Sequence, residues 1–264
     1  MKLFTRLCAF CLIALTYLSL SFGSAEAAPA SKLDQIIARG YILVGSTGDY
    51  KPMSYYNKAT DKYEGFDVAM AEDLAKSLGV KVKWVHTTWP KLMRDTLDGK
   101  FDIAICGISR NAARAQKAAL SQGYVVNGKT VLMRSTDVAK YPTLASMDQS
   151  SVTVMVNPGG SNQKFANANF KHAKIVVHNQ NAEIPGLVAK GKADIMITET
   201  VEANKYIKEE PRLAAPLVNT PFTRSEFGIL LQRGDQIFLN YINFWMDDVK
   251  LTGQMTQWER EYFN

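Results

Sequence analysis

Two glutamates stand three residues apart in Thr198-Glu199-Thr200-Val201-Glu202, just past the run Ala193-Asp194-Ile195-Met196-Ile197. An acidic residue in the first turn of a helix complements the helix dipole and needs no further role. In a cleft that closes, burial would instead raise its pKa, so that Glu202 holds a proton near neutral pH and acts as an acid. Arg114 lies in Gly107-Ile108-Ser109-Arg110-Asn111-Ala112-Ala113-Arg114, shortly after the apolar run Phe101 to Cys106. There it is either an exposed helix arginine or a bidentate clamp on a carboxylate at the carboxyl edge of a sheet. Asn157-Pro158-Gly159-Gly160 offers free backbone N–H groups at a helix start, which suit a carboxylate, although a tight turn without ligand reads the same. Tyr50 and Trp89 fall in similar strand-to-helix loops, where the aromatic walls of a pocket would stand.

Other chemistries lack their residues. His86, His172 and His178 lie on separate elements without ligand spacing, and neither His-Glu-x-x-His nor Gly-x-Ser-x-Gly occurs. The Asn157–Gly160 loop lacks the third glycine of a dinucleotide loop and the acidic residue that should follow it. The expectation is therefore no metal and no cofactor.

The elements that must position these residues read as alternating strands and helices. Tyr41 to Gly45, Val80 to Val85 and Phe101 to Cys106 are strand-like. Between them, Phe66, Met70, Leu74 and Leu78 recur at helical spacing before Gly79, and Leu92, Met93, Thr96 and Leu97 form the inward face of a second helix. The pattern restarts with strands at Val152 to Val156, Lys174 to His178 and Ala193 to Thr198, separated by helices through Phe165 and Phe170 and from Ala182 to Lys190. Two tandem α/β units of this kind predict two lobes with a cleft between them. The joins near Ser121–Tyr124 and Phe222–Gly228 suit a paired-strand hinge. The amphipathic stretch from Asp235 to Tyr262, with Ile237, Phe238, Tyr241, Phe244 and Trp245, is expected to pack back on the first lobe.

The chain has 264 residues, 47% of them hydrophobic, and a net charge of +6. Lys2 and Arg6 precede an apolar run from Leu7 to Phe22, and Ala25-Glu26-Ala27 follows as a small-x-small site, the pattern of a secretory signal cleaved after Ala27. Cleavage removes two of the 31 basic and one of the 25 acidic residues and leaves +5. It also removes Cys8 and Cys11, so Cys106 remains without a disulfide partner. The excess charge is too small, and too scattered, for nucleic-acid binding, and no membrane insertion is expected after cleavage. A small anionic ligand or plain solubility accounts for it.

The Gly-Ile-Ser…Arg segment on tandem lobes resembles the periplasmic amino-acid-binding proteins of ABC transporters. Five segments narrow the match: Thr47-Gly48-Asp49-Tyr50-Lys51-Pro52, Gly65-Phe66-Asp67-Val68, Trp89-Pro90-Lys91-Leu92-Met93-Arg94-Asp95, Asn127-Gly128-Lys129-Thr130 and Val156-Asn157-Pro158-Gly159-Gly160. Together they resemble the periplasmic cyclohexadienyl dehydratases, a branch of the type II periplasmic solute-binding proteins of family 3. The resemblance spans essentially the whole mature chain.

It implies an α/β fold of the type II periplasmic-binding-protein kind, two lobes joined by a two-strand hinge around a central cleft. The expected division is 1–27 signal, 28–122 with 222–264 as the first lobe, and 123–221 as the second. It implies a lyase that converts prephenate to phenylpyruvate and arogenate to phenylalanine, with loss of water and carbon dioxide. Glu202 stands at the family's general-acid position, with Lys129 and Asp49 as further catalytic candidates. Arg114, Trp89, Asn157, Tyr50, Ser109, Gly107 and Glu199 are the expected substrate contacts. Glu199 departs from the pattern, since the family carries Asp there, and Gln163 and Cys106 depart as well. The alternative is a non-catalytic solute-binding protein for a polar amino acid or other carboxylate, and only that reading brings a membrane transporter as partner.

Overall fold

The computed structural model describes residues 31–263, so the expected signal segment lies outside the described residues. Two five-stranded sheets organise the chain on the same plan. In the first, the order is Lys81–His86, Tyr41–Ser46, Ile103–Ala104, Leu230–Leu231, Ala119–Leu120. The second runs Lys174–Val177, Thr153–Val156, Ile195–Glu199, Lys129–Arg134, Leu213–Ala214. Each has three neighbouring parallel strands followed by an antiparallel one.

The fourth strand of each sheet is delivered by a crossing of the chain. Val125–Asn127 and Ser225–Phe227 pair antiparallel beside each other and carry the chain out to the second sheet and back. This is the α/β, two-lobed architecture with a two-strand hinge expected from the sequence. Parallel strands need crossover helices, and the helices Phe66–Ser77, Leu92–Leu97, Ser161–Asn169 and Ile184–Ala189 supply them.

Phe66, Met70 and Leu74 are fully buried, as their spacing requires, and Gly79 at φ +68° follows the helix end. Elsewhere burial corrects the periodicity. Leu97 is 44% exposed, because its helix closes after two turns and its last residue faces solvent. The C-terminal stretch is two helices, Gln236–Leu251 and Gln254–Phe263, parted by Gly253 at φ +79°. Phe238, Ile242, Trp245, Met255 and Trp258 join one core with Ile36, Leu74 and Ile103, so this stretch does pack on the first lobe. Ile237 and Phe244, however, face outward at 61% and 70% exposure; their seven-residue spacing places them on the face away from that core. The run Phe101 to Cys106 contributes only Ile103 and Ala104 to the ladder.

Candidate functional site

The carboxyl ends of the parallel strands from both sheets meet at the cleft, where strand-to-helix turns carry the chemically active side chains. Glu199 ends the strand Ile195–Glu199 and stands immediately before the helix Thr200–Glu209 without capping it by its side chain, which places Glu202 in that helix's first turn. Lys129 begins the antiparallel neighbour and pairs in register with Glu199. From the first lobe, Asp49 and Tyr50 follow the strand Tyr41–Ser46, Trp89 follows Lys81–His86, and Gly107 and Ser109 follow Ile103–Ala104.

Two clusters form. In the first, Lys129 Nζ donates to Glu199 Oε1 at 2.6 Å, Asn162 Oδ1 at 2.6 Å and Ser161 Oγ at 2.7 Å. An ammonium has three protons, and these bonds use all of them. Glu199 also accepts from Ser109 Oγ at 2.5 Å and Tyr50 OH at 2.6 Å, both from the opposite lobe. Burial pulls the Glu199 carboxyl up, but the Lys129 ammonium and the hydroxyls of Ser109 and Tyr50 outweigh it and hold the group below its usual value. Burial lowers the pKa of Lys129, with Glu199 acting against that shift. Asn157 lies beside this cluster, its Oδ1 accepting from Asn162 Nδ2 at 3.4 Å.

The second cluster surrounds Glu202, which is fully buried. Its Oε1 accepts from Asn181 Nδ2 at 2.8 Å, and its Oε2 is hydrogen-bonded to the Thr198 hydroxyl. The same Asn181 Nδ2 reaches the backbone oxygen of Asp49 across the cleft at 3.1 Å. Burial pushes the Glu202 carboxyl up to about 8, and the carboxylates of Asp49 and Glu199 push the same way. Burial also raises Asp49, against hydrogen bonds that include the one from Trp89 Nε1 at 3.0 Å. Trp89 and Tyr50 meet edge to face with ring centroids 5.8 Å apart, forming an aromatic corner.

A small cavity of about 10 Å³ remains between the lobes, bordered by Tyr50, Trp89, Gly107, Asn157 and Glu199. Arg114 does not border it. Its guanidinium is largely buried, spends Nη1 on Ser109 O at 2.6 Å, and lines a groove of about 680 Å³ outside Trp89. Burial lowers the pKa of Arg114 and Glu199 opposes that shift.

Two glycines permit this close fit. A Cβ on Gly107 (φ +70°) would stand 2.5 Å from the Tyr50 ring. On Gly159 (φ +73°) it would stand 2.6 Å from Pro90 Cα. Both need the left-handed backbone that glycine adopts without penalty. Cys106 is buried, and burial pushes its thiol up to about 12, which removes it as a nucleophile.

All ten residues singled out from the sequence therefore fall at the cleft, nine on the two clusters or the cavity and Arg114 one step outward. Four residues of the clusters were not among them. Ser161 and Asn162 lie in the Gly-rich segment and were legible as a helix start, though not as partners of Lys129. Thr198 sits four residues before Glu202, a local signal. Asn181 carried no signal, since 21 residues separate it from the carboxyl it touches.

Two α/β lobes closing on a polar cleft define a solute-binding class of protein. The model of bacterial extracellular solute-binding proteins, family 3, matches residues 42–264, and the chain belongs to that family. It is 43% identical to the cyclohexadienyl dehydratase of Pseudomonas aeruginosa, over 92% of this chain and 90% of that protein. Among solved structures, it resembles the ancestral amino acid-binding protein AncCDT-1, a precursor of cyclohexadienyl dehydratase. That match has a TM-score of 0.82 and 33% identity, covering 89% of this chain and all of that one. A variant of an ancestral cyclohexadienyl dehydratase, AncCDT-3, is 49% identical with a TM-score of 0.56, covering 89% and 97%.

Proposed function

We propose that this chain is a periplasmic cyclohexadienyl dehydratase, a lyase acting on prephenate and arogenate in phenylalanine formation. The lobes are taken as 28–122 with 222–264, and 123–221, closing about the strands Val125–Asn127 and Ser225–Phe227. The observation that carries the reading is Glu202: a carboxyl with no solvent exposure, pushed up to about 8, beside a closing cleft. A group that only bound a cation would be expected to remain charged at neutral pH, whereas Glu202 keeps its proton.

Hydroxide is a poor leaving group, so the ring hydroxyl needs a proton as its C–O bond breaks. Glu202 supplies that proton. The bond from the ring to its carboxylate breaks in concert, its electron pair completes the aromatic ring, and water and carbon dioxide leave. Decarboxylation is favoured where the carboxylate has left water, and the closed cleft provides that setting. Arg114 clamps the side-chain carboxylate from the outer side, and Trp89 with Tyr50 forms the wall against the ring. Lys129 keeps Glu199 ionised and fixes Ser161 and Asn162, with Asn157 directed to the substrate's oxygens.

The test is incubation of the purified protein with excess prephenate at neutral pH, following phenylpyruvate, with Glu202→Gln alongside. The expected result is turnover of many equivalents by the wild type and a loss of about 10²–10⁴-fold in the variant. Saturable, stoichiometric uptake without phenylpyruvate would overturn the enzyme reading. Equal turnover by both proteins would remove Glu202 as the acid.

A further inference from the structure

The turn Asn181–Glu183 follows the strand Lys174–Val177 and leads into the helix Ile184–Ala189. Gln180 and Glu183 are exposed, and Ala182 is half-buried. Asn181 alone is turned fully inward, with no solvent exposure. Its amide nitrogen serves two acceptors at once, Glu202 Oε1 in its own lobe and the Asp49 backbone oxygen in the other. Its Oδ1 is buried without a hydrogen-bond partner among the described residues. A buried amide that leaves its oxygen unpaired is costly, because the desolvation of that oxygen is not compensated. Packing alone would be served by an apolar residue of the same shape.

We propose that Asn181 is a positioning residue for the reaction, selecting the Glu202 oxygen that carries the proton and linking that choice to closure of the lobes. This rests on the reading of Glu202 as the acid. With Oε1 accepting from Nδ2, the carboxyl proton is left to Oε2, and the Thr198 hydroxyl, which donates to Oε2 when Glu202 is charged, then turns to accept from it. The bond to Asp49 O exists only while the lobes are together, so the amide is held in place in the closed state.

The charges facing Glu202 come from several elements. Asp49 approaches from the first lobe, Glu199 from the preceding turn, Lys129 from the neighbouring strand, and the hydroxyls of Tyr50 and Tyr206 from either side. Asp49 meets Asn181 only through its backbone oxygen and not through its carboxylate, and the other groups make no hydrogen bond to Asn181 among the described residues. Its removal therefore takes away one donor to the charged form and leaves the rest of the field in place, which moves the Glu202 titration upward.

The test compares wild type with Asn181→Leu, similar in shape but without a donor, and Asn181→Ser, shorter but with a donor. Two readouts are taken between pH 6 and about 10: steady-state kinetics with prephenate, and the infrared carboxyl stretch of Glu202, assigned by its loss in Glu202→Gln. For Asn181→Leu the expected result is kcat lower by about 10–100-fold, KM within about threefold, and both the alkaline limb and the carboxyl titration displaced to higher pH. Asn181→Ser should recover part of the loss. Unchanged titration with kcat near wild type would overturn the proposal. So would a kcat loss in a folded Asn181→Leu protein whose titration has not moved. If Asn181→Leu fails to fold, the Ser variant decides by the same two readouts. If wild type does not turn over prephenate, the dehydratase reading fails, while the infrared titration still decides whether Asn181 governs the Glu202 proton.

Discussion

Glu199 and Glu202 leave the same turn of chain, both buried, and their proton affinities shift in opposite directions. Around Glu199 stand an ammonium and two hydroxyls, each within 2.6 Å. Glu202 has an amide and a hydroxyl but, among the described residues, no cation at hydrogen-bond distance, and other carboxylates lie nearby. Burial disfavours the charge on both; only the cluster with a cation overcomes it. The lysine thus divides the labour, keeping one carboxylate ionised for holding and leaving the other protonated for chemistry.

That contrast is most open to attack through pH. The kcat/KM for prephenate is expected to fall about tenfold per pH unit above about 8, as Glu202 loses its proton, with the limb absent from residual Glu202→Gln activity. Stability should carry the same mark. The folded pKa lies above the ordinary carboxyl value of 4.5, so the folded state binds the extra proton between 4.5 and about 8. Its contribution is present below that window and lost as pH rises through it. Melting curves of wild type and Glu202→Gln across the window would show the gap widening in favour of the variant.

Next in size is Lys129→Met, which converts one cluster toward the other. Removing one partner of a buried pair costs about 3–5 kcal/mol, so the melting midpoint should drop by roughly 10 °C at neutral pH. The Glu199 carboxyl would then move up, and the variant should recover stability on acidification where wild type does not. An unchanged midpoint, measured by calorimetry, would mean that Lys129 does not hold Glu199 ionised. Tyr50→Phe is the smallest probe: it takes one donor from Glu199 Oε2 across the cleft. A loss of about 1–3 kcal/mol is expected, with kcat changed less than KM.

Fold and site were legible to different depths. The helix Phe66–Ser77 and the restart at Val152 were readable because apolar spacing reports burial along one element. Leu97, Ile237 and Phe244 were misplaced by the same rule, since periodicity identifies a face and cannot say where that face ends or which side meets the core. Arg114 lies outside the small cavity in the closed structure, tied to Ser109 O and lining the outer groove from which it is proposed to reach the substrate. Its motif reports the loop it occupies and not the direction of its guanidinium. Asn181 was invisible because a turn residue becomes functional only through what it meets across space.

By itself, the sequence determined the alternation of strands and helices, the crossing between two sheets, and the turns from which Asp49, Trp89, Gly107, Asn157 and Glu202 project. These follow from local patterns of burial and backbone freedom, which are properties of consecutive residues. Only the tertiary structure decided which glutamate is charged. Proton affinity in a closed cleft is set by desolvation and by partners that come from both lobes, such as Tyr50, 149 residues before the Glu199 it touches, and no local pattern encodes that sum.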